Sequence, residues 1–231
     1  MAFSGTYNYA PSLGELVLNA YGRIQLRPPA LVAQHWLDAR TESNLLQLEW
    51  ANRGVQLWTV DPQSQLLTAG TSTYSVPSNT MAILDVYIST TSGGRTTDRL
   101  ILGVSRSDYA AQPNKLAQGP PTMWWFDRLI SPTITLWPVP DTGGPYTLNY
   151  YRYRLIQDAL IANGVQPEMP IRWLDACTAG LSHRLARLHA PQLEQLRGGD
   201  AERAWGFAST QDVELVPIRI QPMIGDYYRR R

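Results

Sequence analysis

Only one of the 231 residues is cysteine, Cys177, and only one is lysine, Lys115. A single thiol excludes an intrachain disulfide and fits a chain assembled in a reducing cytoplasm. There is no H-E-x-x-H pattern and no paired-cysteine spacing. Of the three histidines, His183 and His189 are six apart on one expected helix and face different sides, so no metal and no cofactor is expected. Charge is scarce, at 17% of residues, with a formal net charge of +1 from 20 basic and 19 acidic side chains. The basic excess of a strong nucleic-acid binder is missing except for Arg229-Arg230-Arg231. No stretch approaches the roughly 18 apolar residues that span a bilayer. Met1–Thr6 has no basic segment followed by an apolar run. The expectation is a soluble, non-secreted chain with no membrane partner. Phe is also rare, at 3, against 8 Trp and 12 Tyr. Trp and Tyr pair an apolar body with a polar tip and are enriched at protein interfaces. Low charge points the same way, towards a surface that faces other protein, although a compact monomer with an uncharged polar surface fits composition equally well.

The hydrophobic period changes twice along the chain, from helical to strand-like and back. Ser12-Leu13-Gly14-Glu15 is a capping box. The apolar face Leu13, Val17, Ala20 and Tyr21 follows it and Gly22 closes it. Pro28-Pro29 starts a second expected helix, with Val32, Trp36, Ala39, Ser43, Leu46 and Trp50 as its seam and Gly54 just past its end. From residue 55 to 157 the pattern predicts short strands: Val55–Trp58, Thr73–Val76, Ile83–Ser89, Arg99–Val104, Met123–Asp127, Thr133–Trp137 and Tyr146–Tyr153. Turn signals separate them, among them Asp61-Pro62, Ser92-Gly93-Gly94 and Asp141-Thr142-Gly143-Gly144. Tyr146, Leu148 and Tyr150 alternate with Thr147, Asn149 and Tyr151, which predicts a last strand covered on both faces. After a linker over 158–169, Leu174, Cys177, Leu181, Leu185 and Leu188 form a helical stripe. Gly198-Gly199 is expected to break the helix there, and Asp200 to cap a final one.

The fold class this predicts is α+β: a helical bundle from N- and C-terminal helices, an inserted antiparallel β-sandwich or barrel, and an extended C-terminal tail. The expected domains are 1–54 plus 158–213, 55–157 and 214–231. The ends of the insert, near Gly54 and Asp158, should lie close together. The tail is apolar with two prolines: Val216, Ile218, Ile220, Met223 and Ile224 supply buriable surface, Tyr227 and Tyr228 aromatic anchors, and Arg229, Arg230 and Arg231 forks for carboxylates. It reads as a docking segment, or else as a tail packed back on its own domain.

Chemistry is hard to find. Cys177 lies on the apolar stripe, where a thiol is inert. No nucleophile elbow or phosphate-binding loop occurs. Asp127, Asp141 and Asp158 sit beside turns, where Asp is expected anyway, though a glycan hydrolase using them stays open. Trp124, Trp125, Phe126 and Trp137, with Tyr150 and Tyr151, read as β-module core or subunit interface. A glycan-binding module of a tail fibre or spike, using Trp124, Trp125 and Trp137, is the alternative. The order of Leu45–Trp58, Thr73–Pro77, Ser105–Ala110, Pro121–Arg128, Thr135-Leu136-Trp137-Pro138-Val139-Pro140-Asp141 and Tyr146–Arg154 resembles the head-to-tail adaptor (tail tubular A-like) proteins of podophages and related phages. That resemblance implies a non-enzymatic structural protein of the virion. It implies a ring, commonly of twelve copies, at the head–tail junction, assembled in the host bacterial cytoplasm. The ring would bind the portal protein and a tail nozzle or other tail protein, and in some cases tail fibres. It would continue a channel through which double-stranded DNA passes without sequence-specific binding, for genome retention and ejection. The tail would then dock on the portal ring or a neighbouring adaptor subunit.

Overall fold

The computed structural model describes residues 5, 9–54, 56–161 and 164–213. It is a mixed α+β fold with helices towards both ends and two four-stranded sheets in the middle. The tail residues Val216, Ile218, Ile220, Met223, Ile224, Tyr227, Tyr228, Arg229, Arg230 and Arg231 lie outside the described residues.

Helix α1 (Leu13–Arg23) starts where the capping box expects it. The Ser12 amide donates to Glu15 Oε2 at 2.8 Å and the Glu15 amide to Ser12 Oγ at 3.3 Å, satisfying two otherwise unpaired donors. Helix α2 (Ala33–Arg53) begins later than Pro28-Pro29 suggests. A residue that precedes proline is disfavoured in the helical region, so the double proline stays in a turn. His35 Nδ1 accepts from the Val32 amide at 3.0 Å and starts the helix there, which leaves Val32 exposed rather than on the seam. Ala39, Ser43, Leu46 and Trp50 are buried, and Trp36 packs at the edge of the core.

Helix α4 (Leu174–His189), preceded by a 3-10 turn at Ile171–Trp173, buries Leu174, Cys177, Leu181 and Leu185 against α1 and α2. Leu188 departs from the expected stripe: in the last turn Ala186 and Ala190 face inward and Leu188 is exposed. Helix α5 (Glu194–Gln211) runs straight through Gly198-Gly199, where a break was predicted. Packing overrides propensity here. A Cβ at Gly198 would stand 3.2 Å from His183 Nε2, so glycine lets α5 lie close on α4. Asp200 caps nothing; it sits inside the helix and pairs with Arg197 and Arg203. Trp173 fills the centre of the bundle, its ring 5.1 Å from Trp50 and 4.9 Å from Trp58.

The first sheet has the order β1 (Val60–Leu66), β8 (Tyr146–Arg154), β3 (Thr80–Ser92), β4 (Arg95–Leu100). The second has β2 (Thr73–Ser75), β7 (Thr133–Trp137), β6 (Met123–Asp127), β5 (Leu102–Gly103). One hydrophobic cluster lies between them, with Val86, Ile88, Leu148 and Tyr150 from the first sheet and Tyr74, Ile134 and Leu136 from the second. Three expectations change. Asp61-Pro62 is not a turn but part of β1, an edge strand, where a residue without an amide proton is tolerated. The segment expected as strand Val55–Trp58 is a 3-10 turn at Leu57–Thr59, Val55 itself lying outside the described residues; the Leu57 amide donates to Asp212 Oδ2 at 3.1 Å. Arg99–Val104 is not one strand, because the chain leaves the first sheet after Leu100 and joins the second at Leu102. Between them the Ile101 amide donates to Val86 O at 3.0 Å and its carbonyl accepts from Trp124 Nε1 at 3.2 Å. The Ser92-Gly93-Gly94 signal does close the β3–β4 hairpin, with both glycines at positive φ, the backbone a tight two-residue hairpin requires. Strand β8 buries Tyr146, Leu148 and Tyr150 on one face; on the other Thr147 and Asn149 are half-buried and Tyr153 is buried, while Tyr151 is 41% exposed.

Sheet and bundle meet at the end of β8. Arg152 is buried and holds Asp61 through Nε at 2.7 Å, Asn79 at 2.8 Å and Thr80 at 3.0 Å. Arg154 grips Glu168, and Glu168 Oε2 also accepts from the Gln157 amide at 2.8 Å. Burial works against the charged form of Asp61, but the hydrogen bonds and charge of Arg152 outweigh it, and its pKa lies below the ordinary value. The Arg154 hydrogen bond, against some burial, likewise holds Glu168 below its ordinary value. A carboxylate whose folded pKa is depressed contributes stability that is complete above its unfolded pKa, near 4, and is lost as pH falls through the folded value. The urea midpoint should therefore drop between about pH 5 and pH 3, and drop less steeply in Asp61→Asn. Equal pH slopes for parent and variant would show that the Asp61–Arg152 pair is not coupled to folding.

Candidate functional site

Several groups with catalytic potential have structural partners among the described residues. Cys177 is buried, and burial pushes its thiol up to about 12. Among the described residues no group of three His, Cys, Asp or Glu is placed to hold a metal ion. His35 and His189 touch, with ring centroids 4.7 Å apart, and His189 Nε2 lies 3.2 Å from Asp38 Oδ2. The hydroxyl of Tyr21 donates to His35 O, and burial, then the Asp38 charge, raises its pKa. This cluster ties α1, α2 and α4 together. Burial, then the Arg187 charge, lowers the His183 pKa below its ordinary value. The three turn-borne aspartates stand at separate places. Asp127 ends β6. Asp141 accepts from Tyr146 Oη at 2.8 Å and from the Gly143 amide at 2.9 Å, and Asp158 is exposed after β8.

The aromatic hairpin β6–β7 splits by strand alternation. Trp124 and Phe126 turn inward and pack against the sandwich core. Gly103 lets β5 lie directly on Trp124, since a Cβ there would stand 2.8 Å from the indole. Trp125 and Trp137 turn outward, where the segment 105–118 roofs them. That segment begins with α3 (Arg106–Ala110), capped by Ser105 and Asp108. Tyr109 stacks on Trp125 with centroids 5.5 Å apart, and the Trp137 indole donates to Asn114 O at 2.8 Å. Lys115, over the Tyr109 ring, donates to Ala110 O at 2.8 Å and Gln112 O at 2.5 Å, closing the roof. A sugar platform needs a free indole face, and Tyr109 takes one face of Trp125. Tyr150 is in the sheet core, and Tyr151 faces outward opposite Pro62. Sequence reasoning missed α3, although Ser105-x-x-Asp108 carried its capping signal.

It also missed the exposed apolar side chains. Leu129 and Ile130, the latter 97% exposed, form the β6–β7 tip. Leu37, Leu45 and Leu48 project from α2, and Leu196 and Phe207 from α5. Arginines, by contrast, are largely paired. Arg184 binds Glu42 and Glu49, Arg53 binds Glu49 and Glu202, and Arg172 binds Asp212. The described surface therefore offers protein partners exposed apolar side chains while most of its cations are spent on its own carboxylates.

Two outcomes follow. Trp137→Ala removes the indole that holds Asn114, at a cost of roughly 1–3 kcal/mol for a half-buried aromatic with one hydrogen bond. Limited trypsin digestion should then cut after Arg106 and Lys115 several-fold faster than in the parent, and unchanged cutting would mean the roof is held elsewhere. Cys177→Ala should fold normally with a modest loss of stability, and the native thiol should resist labelling until the protein unfolds. Rapid labelling of native protein would place Cys177 at the surface.

No curated protein matches the chain. The model of one family, described as SU10 adaptor protein, matches residues 18–213, which takes in every element from within α1 to the end of α5. The match supports a structural role as a phage head-to-tail adaptor and gives no support to a glycan-binding module. By its helices, both of its sheets and this match, the chain belongs to the SU10 adaptor protein family.

Proposed function

We propose that copies of this chain close into a dodecameric ring of the tail tubular A-like kind at the head–tail junction of a phage particle. The ring sits below the portal, binds a tail protein on its other side and continues the DNA channel for genome retention and ejection. The observation that carries this reading is the family match across both the helices and the sheets. The surface supports it. A ring of more than two copies needs two different complementary patches on each subunit, because its contacts are head-to-tail. Exposed apolar side chains stand on α2, on α5 and at the β6–β7 tip. A channel wall should also bind DNA weakly, since each phosphate neutralised by a free cation strengthens binding through counterion release. A chain with net charge +1 and most described arginines in ion pairs meets that requirement. In this reading 1–54 plus 158–213 forms the helical body, 55–157 the β insert, and 214–231 the segment that docks on portal or on a neighbouring adaptor. Assembly takes place in the host bacterial cytoplasm.

Electron microscopy of the purified protein, alone and mixed with portal, tests the ring directly: class averages should show closed rings on portal. Truncation after Val213 tests the tail. The truncated chain should keep its circular dichroism spectrum and lose co-sedimentation with portal by about ten-fold or more, the loss of about 1.4 kcal/mol or more of docking energy. A folded truncation that binds portal and forms rings as the full chain does would remove the tail from the docking surface.

A further inference from the structure

An apolar groove of about 340 Å³ runs between the segment before α1 and the segment before α4. Tyr9 and Pro11 form one wall, and Pro167, Pro170, Ile171 and Leu174 the other. The Leu13 amide, donating to Val165 O at 2.8 Å, holds the walls side by side. Ile171 is 59% exposed, and Tyr9 is exposed too. Large apolar side chains left open in one groove call for an occupant.

We propose that residues 216–222 of the same chain, Val216-Pro217-Ile218-Arg219-Ile220-Gln221-Pro222, lie in this groove. This rests on the reading of 214–231 as a docking tail and concerns where that tail starts. The first argument is position. Helix α5 ends against the groove wall: Asp212 pairs with Arg172, the residue next to Ile171, and accepts from the Leu57 amide. Val213, the last described residue, therefore stands close to the groove. The second is length. Three residues cover at most about 10 Å and seven more about 23 Å, enough to enter the groove and run along it. The third is chemistry. Val216, Ile218 and Ile220 alternate in apolar character, and Pro217 and Pro222 favour an extended chain that loses little entropy on ordering. Walls of proline and tyrosine suit an extended proline-containing peptide. The other segment at hand, residues 1–8, has Ser4, Gly5, Thr6 and Asn8 and lacks this alternation. An anchored first half leaves Met223–Arg231 to reach the partner from a fixed point, which shortens the tether and raises its effective concentration.

The test uses the full chain without portal, so it does not depend on portal docking. In Ile171→Cys/Ile218→Cys, mild oxidation of dilute protein should give an intrachain disulfide within minutes; Cys177 is buried and does not compete. The control Ile171→Cys/Tyr228→Cys should link about ten-fold slower, as an unanchored end does. A ladder of interchain dimers would overturn the proposal in favour of a neighbouring copy. Efficient linkage of Ile171→Cys/Phe3→Cys, with none to Ile218→Cys, would overturn it in favour of the N-terminal segment. A second measurement leaves the groove and tail unmodified. Trypsin should cleave the parent after Arg219 about ten-fold slower than after Arg229, reflecting protection by docking, and Ile171→Asp should abolish that difference. Equal cleavage at the two sites in the parent would overturn the proposal. Loss of portal binding with groove linkage intact would instead count against the docking reading alone.

Discussion

The buried hydroxyl of Tyr153, at the end of β8, sets the constraint on which both halves of the fold depend. A β module placed between α2 and α4 must return its chain to where it left. Tyr153 Oη has Gly54 O at 2.8 Å and Ala51 O at 3.2 Å, backbone carbonyls at the end of α2, and the side-chain Oε1 of Gln56 at 2.7 Å. Gln56 in turn donates to Trp50 O at 2.7 Å. Burial pushes the Tyr153 hydroxyl up to about 12, so it remains a donor at any physiological pH. Moved out of register, it would leave a buried polar group unpaired, at about 1–3 kcal/mol. The neighbours of Tyr153 extend the same joint, Arg152 towards β1 and the start of β3, Arg154 towards the segment before α4. One strand end thus fixes how the sheets sit on the bundle.

The arginine-rich, lysine-poor composition takes its meaning from this joint and from others like it. Arg152 makes a two-pronged contact with Asp61, and Arg184 divides its fork between Glu42 and Glu49. A planar fork suits such sharing, which a lysine ammonium does not reproduce. The one lysine has a different task, crowning a helix end with a compact charge that meets two carbonyls. Cations used this way hold elements together and are matched by the chain's own carboxylates.

Where local chemistry alone decides structure, the sequence is legible. Ser12-Leu13-Gly14-Glu15 specifies a helix start, Ser92-Gly93-Gly94 a hairpin turn, and the runs Met123–Asp127 and Thr133–Trp137 coincide with β6 and β7. Misreadings occur where a distant partner decides. Gly198 looks like a helix break until His183 is seen beside it, and Asp61-Pro62 looks like a turn until β8 is seen opposite. Arg99–Val104 reads as one strand because nothing local reveals that the chain changes sheets at Ile101. The site suffers the same limit. That Trp125 and Trp137 are aromatic is plain in the sequence; that Tyr109 and Asn114 cover them is a fact of the fold.

That cover bears on what the β module does. Indole faces used to recognise sugar stay open and rigid, whereas here they hold down a surface segment. Two exposed apolar residues lie beyond the indoles, Leu129 and Ile130 in the β6–β7 turn. A pair of aliphatic side chains kept in water at the tip of a hairpin is a standing cost that burial against another protein relieves, at about 1.5–3 kcal/mol per side chain. The aromatic residues of the hairpin are roofed on one face and packed into the sandwich on the other. The Trp-rich strand thus has its indoles covered and carries the turn beyond it, where Leu129 and Ile130 stand exposed.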